Sequence, residues 1–173
     1  MELRWDPVMN QWIIVSGERA ERPLLPEEYC PFCPGSQEIP DRGWTVLSLP
    51  NRFPALRVDA PLPEVKGDRL YRASRARGAC EIIVYTPKHD TTFADLSVEN
   101  MKAVVDLWTQ RFKELGSKDY VKCVFIFENK GRIIGVTLDH PHGQLYAFPF
   151  IPPLIKKELE AGKKYWTRTG VCL

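Results

Sequence analysis

Apolar positions along the chain form several short runs and one long helical stripe. Trp12-Ile13-Ile14-Val15 predicts a strand that pairs back on the N-terminal residues across a turn at Asp6-Pro7. Trp44 to Leu49 predicts a second short strand, ended by Pro50. From Pro61 to Gly78 the periodicity is lost. That stretch reads as a basic loop carrying Arg69, Arg72, Arg75 and Arg77, either simply solvated or steering phosphate. Cys80 to Tyr85 predicts a strand stopped by Pro87. The clearest element starts at Ser97, a good N-cap with Glu99 in the first turn. Val98, Met101, Val104, Val105, Trp108, Phe112 and Leu115 then recur at helical spacing up to Gly116, a stripe for core packing. Val121 to Glu128 predicts a central strand and His142 to Phe148 another, joined through a turn at Lys130 to Thr137 that holds two glycines. Pro153 opens a last helix through Trp166, with Lys156, Lys157, Glu158 and Glu160 on its polar face. Adjoining strands with one long helix predict the α+β class, an antiparallel sheet layered on helices.

Composition narrows the chemistry. Ten of the 15 prolines precede position 65, so the first third should be turns, loops and short strands. A formal net charge of +2 is too balanced for a protein that wraps nucleic acid or docks on a membrane surface to be read from charge alone, and neither partner is expected. No apolar run approaches the roughly 18 residues of a membrane span, and Met1 to Asp6 is too polar for a signal peptide. Five cysteines, an odd count without a secretory signal, argue against a disulfide framework and for a reduced, cytoplasmic compartment. Cys80 and Cys123 sit in apolar runs and read as buried, inert thiols.

Three histidines remain to carry imidazole chemistry. In Asp139-His140-Pro141-His142-Gly143-Gln144, an extended backbone projects His140, His142 and Gln144 from one face. Pro141 fixes φ, and Gly143 is expected to let a bulky ligand approach that face. A surface-exposed polar edge is the structural alternative. Cys30-Pro31-Phe32-Cys33 is half of a zinc knuckle, or equally a redox pair. A tetrahedral site needs four ligands. His89 and one member of the His-x-His pair would complete it, leaving the other member as a nucleophile.

These segments resemble the galactose-1-phosphate uridylyltransferase family of the histidine triad superfamily. The resemblance rests on His140-Pro141-His142-Gly143-Gln144 together with Phe127-Glu128-Asn129-Lys130-Gly131 and Gly135-Val136-Thr137. Val15 to Pro23, Cys30 to Cys33, Pro50 to Leu56 and Thr86 to His89 follow in the family's order. The resemblance implies a duplicated α+β fold of which residues 1–173 match the N-terminal domain, with the second half absent from the chain. Cys172 then reads either as the first residue of a second cysteine pair or as a plain terminal residue.

The resemblance implies His142 as nucleophile on the α-phosphorus of UDP-glucose or UDP-galactose. A uridylyl-histidine would pass UMP between hexose 1-phosphates in a ping-pong exchange. Gln144 would bind phosphoryl oxygens, with Asn129, Gly135 and Thr137 along the phosphate path. Asn51, Arg52 and Phe53 match the segment holding uracil and ribose. Arg19 and Arg22 match arginines that reach a neighbouring subunit's nucleotide, which implies a homodimer. Cys30, Cys33, His89 and His140 match the ligands of a structural Zn2+. Hydrolytic members of the superfamily carry a histidine where this chain has Gln144. An amide cannot move protons, which suits transfer between phosphates. A missing half would expose an apolar or strand-edge surface, open to dimerisation or to a separate C-terminal half. Two other readings stay open: a phosphorylase or transferase acting on an ADP-sugar or dinucleoside polyphosphate, and an impaired nucleotide- or zinc-binding module.

Overall fold

The computed structural model describes residues 1–17, 29–37, 39–134, 136 and 138–173. Strands β1 (Glu2–Asp6) and β2 (Gln11–Val15) form the predicted hairpin, with Trp5 opposite Trp12. The remaining strands are β3 (Leu47–Pro50), β4 (Ala73–Arg75), β5 (Ala79–Val84), β6 (Cys123–Phe127) and β7 (His142–Phe148). They join helices α1 (Val98–Gly116) and α2 (Pro153–Thr169) in an α+β arrangement of two antiparallel sheets. The smaller sheet runs β2-β1-β4 and the larger β3-β5-β7-β6.

Three expectations change. The basic stretch from Pro61 to Gly78 contains β4, which pairs with β1. Two of its four arginines are held by aromatic faces: Arg72 lies 4.0 Å from the Trp5 ring centroid and Arg77 lies 4.2 Å from that of Tyr120. A guanidinium stacks on an indole or phenol without losing its hydration rim, and sequence periodicity does not report such contacts. The apolar run from Val121 to Glu128 is an edge, not a centre. Among the described residues β6 pairs with β7 alone, and Phe125 remains exposed. The inner positions belong to β5 and β7, which share six residue pairs from Ala79↔Ala147 to Val84↔His142. The third strand also starts later than Trp44 and includes Pro50, whose missing N–H is tolerated on an edge strand.

Alternation along β7 separates the faces. Gly143, Leu145 and Ala147 are buried, while His142, Gln144, Tyr146 and Phe148 are partly open. The buried face meets α1. Leu115 packs with Leu145 and Ala147, and Val104 with Ile83 and Tyr85. Each fully buried aliphatic side chain contributes about 1.5–3 kcal/mol. Ser97 caps α1 as expected, accepting from the Asn100 amide. Asn100 in turn donates from Nδ2 to the Tyr85 carbonyl at 2.7 Å. Arg111 clamps Glu81 of β5 with a two-pronged guanidinium contact, at 2.8 and 2.5 Å, and so fixes the helix on the sheet. On the open face, the proline-rich segment brings Phe32 and Ile39 against Val84, and Leu3 and Leu56 pack near Cys80. By contrast α2 buries none of its residues.

No disulfide joins the five cysteines. Cys80 is buried as expected and Cys123 is only partly so. No helix among the described residues is long and apolar enough to cross a membrane.

Candidate active site and metal corner

The chemistry gathers where β7 begins. His142 is its first residue, opposite Val84, and Gln144 follows two residues on, between Ile82 and Phe127. The strand period places His142 and Gln144 on one face, as the sequence suggested. Gly143 points the other way. Its hydrogen faces the Tyr85 ring, and a Cβ there would lie 2.1 Å from the Tyr85 hydroxyl oxygen. The glycine therefore admits a protein side chain on the buried face, which corrects the expectation that it admits a ligand on the open one.

Backbone carbonyls set the state of both histidines in the pair. Nδ1 of His142 lies 2.8 Å from the His140 carbonyl oxygen. A carbonyl can only accept, so Nδ1 carries the hydrogen and the lone pair resides on Nε2. His140 is the converse. Its Nε2 donates to the Thr86 carbonyl at 2.8 Å, which puts the lone pair on Nδ1. That nitrogen lies 3.6 Å from Cys30 Sγ and 3.7 Å from Cys33 Sγ. Cys33 Sγ is also 3.4 Å from His89 Nδ1.

The four ligand atoms of Cys30, Cys33, His89 and His140 all lie within 4.8 Å of one another, so the cluster can hold a metal ion. Its chemistry fits one. His140 is 1% exposed, and burial lowers its pKa, favouring the neutral imidazole that ligation needs. Burial also pushes the Cys30 thiol up to about 11, a cost that a bound cation would reverse by stabilising the thiolate. Two sulfurs and two imidazoles fill a tetrahedron without an open position.

Beside this corner lies a cavity of about 230 Å³, lined by His142, Asn129 and Lys130 among others. Gly131 also lines it, with φ of +99°. A side chain is disfavoured in that backbone conformation, and the Gly131 carbonyl accepts from Ile134 and Val136 to close the turn. Glu128 and Asp139 add carboxylates to the same wall. Lys130 and Glu128 stand in a segment that the sequence singled out without giving either a role. Tyr85 was read only as the end of a strand.

The remaining sequence candidates divide. Asn51, Arg52 and Phe53 do not line this cavity. Asn51 donates its amide to the Cys80 carbonyl, while its side chain accepts from the Phe53 amide, both at 2.9 Å. Cys80 stands four strand residues from Val84, so this turn is about 13 Å along the sheet from the level of His142. Gln144 lies between the two levels. The Arg52 guanidinium sits 5.9 Å from the Phe53 ring centroid. Arg19, Arg22, Gly135 and Thr137 lie outside the described residues.

The sheet, the His-Pro-His entry to an inner strand and the adjacent Cys2His2 corner together define a histidine-triad-like α+β domain. Residues 1–152 match the family described as galactose-1-phosphate uridyl transferase, N-terminal domain, and the chain belongs to that family. It is 38% identical over 173 residues to a galactose-1-phosphate uridylyltransferase of Thermotoga maritima, covering 99% of this chain and 54% of that protein. A solved uridylyltransferase structure superposes with a TM-score of 0.88 at 37% identity, covering all of this chain and 54% of the other. An ADP-glucose phosphorylase from Arabidopsis thaliana, solved with bound ADP-glucose, gives 0.70 at 27% identity, covering 99% and 56%. The chain thus spans about half the length of the relatives it matches.

Proposed function

We propose that the chain is the N-terminal, nucleophile-bearing domain of a UDP-glucose–hexose-1-phosphate uridylyltransferase. Its complementary half would lie outside residues 1–173. The observation that carries this reading is the 2.8 Å contact from His142 Nδ1 to the His140 carbonyl, which leaves the lone pair on Nε2, the nitrogen that would attack phosphorus. Nε2 forms a bond to the α-phosphorus of UDP-glucose as the bond to the bridging oxygen breaks, releasing glucose 1-phosphate. A phosphate oxygen of galactose 1-phosphate then attacks the same phosphorus, the P–N bond breaks and UDP-galactose leaves. Both hexose phosphates have a second pKa near ~6 and act as anions, so little proton transfer is required.

Gln144, on the same face as His142 but outside the cavity lining, would donate its amide hydrogens to the phosphoryl oxygens, and Asn129, which lines the cavity, would do likewise. Gly135 and Thr137 are assigned to the same phosphate path. Asn51, Arg52 and Phe53 would hold the uridine end, and their distance along the sheet suits an extended nucleotide. Cys30, Cys33, His89 and His140 would hold Zn2+, which supplies a structural clamp between the proline-rich segment and the sheet. A homodimer in which Arg19 and Arg22 reach the neighbouring subunit, in a reduced cytoplasmic compartment, completes the reading.

Incubation of the full-length protein with UDP-glucose labelled in the uridylyl group should give an acid-labile covalent adduct, absent in His142→Asn. An adduct that survives His142→Asn removes the assignment. The Arabidopsis relative supports a second reading, an ADP-sugar phosphorylase. That reading stands instead if only an adenylyl donor labels His142.

A further inference from the structure

Metal ligation asks little of the residues inside a Cys-x-x-Cys turn beyond presenting the two sulfurs. In this chain the residue before Cys33 is nonetheless aromatic and buried: Phe32 is 7% exposed. Hydrogen bonds within the segment close the turn that carries it. The Cys33 amide donates to the Cys30 carbonyl at 3.4 Å, and Ser36 Oγ donates to the Pro31 carbonyl at 2.6 Å. From this turn the Phe32 ring packs with Ile39 against Val84, the residue paired with His142. Its centroid lies 5.0 Å from that of the His142 imidazole, with the planes tilted by 56°. The His140 ring meets it edge-on at 6.2 Å.

The hydrogen bond from Nδ1 to the His140 carbonyl fixes one end of the His142 ring. A ring held at one nitrogen can still swing about that bond, and the swing carries Nε2 along an arc. An aromatic face in van der Waals reach of the imidazole limits it. Attack on phosphorus is sensitive to such motion, because a misplacement of about 1 Å costs up to about 10²-fold in rate. Filling the space beside Ile39 and Val84 requires no contact with an imidazole.

We propose that Phe32 is a positioning residue for uridylyl transfer, the wall against which the His142 imidazole is set while the His140 carbonyl holds Nδ1. The cysteine turn then does more than present sulfur. It also carries the support for the nucleophile of the neighbouring strand.

The inference rests on the uridylyl-transfer reading, and one arm of its test needs no activity. In full-length protein labelled with 13C in the imidazoles, the His142 signal is identified by its loss in His142→Asn. It should shift in Phe32→Ala, as the ring current of Phe32 is removed, and an unmoved signal overturns the inference. In the second arm, adduct formation from labelled UDP-glucose is followed by rapid mixing over a range of concentrations. Phe32→Ala should lower the saturating rate about tenfold, while the half-saturating concentration moves less than about twofold. Its metal content should match wild type. Phe32→Leu, which restores an apolar wall, should return to within about threefold of the wild-type rate. A normal saturating rate in Phe32→Ala, a loss confined to half-saturation, or no recovery in Phe32→Leu overturns the inference. So does a rate that falls only in proportion to lost metal, which would assign Phe32 to the turn alone. If wild type forms no adduct, the transfer reading falls and the positioning role falls with it, even where the His142 signal shifts.

Discussion

His140 and His142 stand two residues apart, yet the fold ties them at opposite ring nitrogens. His140 is closed in on every side: Thr86 fixes its Nε2, two sulfurs face its Nδ1, and the His89 ring packs edge-on at 5.4 Å. His142, held at Nδ1 by the His140 carbonyl and packed beside the Phe32 ring at 5.0 Å, is partly open on the cavity that both histidines line. The difference comes from the neighbouring carbonyl, not from the residue type. A carbonyl at Nε2 leaves the lone pair on Nδ1, where a metal ligand needs it, and a carbonyl at Nδ1 leaves it on Nε2, where the proposed nucleophile needs it. In the proposed reading the Cys2His2 corner is a frame, and the strand beside it is what the frame positions.

The strongest way to break this contrast is to remove each imidazole in turn. His140→Asn should lose the metal and lower Tm by on the order of 10 °C, because folding and ligation are coupled in closed cysteine–histidine sites. His142→Asn should keep both metal and Tm, as elemental analysis and thermal melts would show. Similar melting of the two variants would end the distinction. The metal-free protein should also reveal the raised Cys30 pKa. A folded-state pKa of about 11, above the ordinary 9.0, means the fold holds the proton longer than the unfolded chain does. Its stability is therefore complete below pH 9 and is lost as pH rises towards 11. The metal-loaded protein should not show that loss, because its thiolates are already formed. It should instead release metal as acid returns protons to the ligands.

A smaller effect tests the reactive side. Gln144→His places a proton-transferring imidazole on the face that carries His142. It should accelerate water attack on the uridylyl-histidine by roughly tenfold or more, general acid–base help being worth about 10²–10⁴-fold when well placed. Release of UMP from the pre-formed adduct measures it directly. An unchanged rate would mean that the amide does not protect the intermediate.

Much of the site was legible before the fold. Cys30, Cys33, His89 and His140 converge as the spacing and resemblance implied, and the faces of β7 follow from a period of two. Three features were not legible, each for a definite reason. Gly143 serves Tyr85, and only the β5–β7 register shows which side chain lies under a glycine. The run from Val121 is apolar enough for a central strand. Strand order, which hydrophobicity does not encode, puts it on the edge. Arg72 and Arg77 read as solvated charge, because cation–aromatic contacts join residues far apart in sequence.

The least severe test concerns the support under the frame rather than the frame or the nucleophile. Arg111 contacts Glu81, while Ser48 donates to the same carboxylate at 2.8 Å, so one acidic side chain joins β3, β5 and α1. Glu81 and Arg111 side chains are only 13% and 22% exposed, which shields the pair from the screening that weakens surface bridges. Arg111→Ala would leave Glu81 with its serine partner and a poorly hydrated charge, a loss of about 2 kcal/mol and roughly 5 °C in Tm. Glu81 points to the α1 face, away from His142 and the cysteines. Metal content and the rate of adduct formation should therefore stay at wild-type values. A drop in either, measured well below the lowered Tm, would mean that α1 also sets the position of β5 and, through it, of β7. The separation between frame and reacting strand would then be less complete than the two histidines suggest.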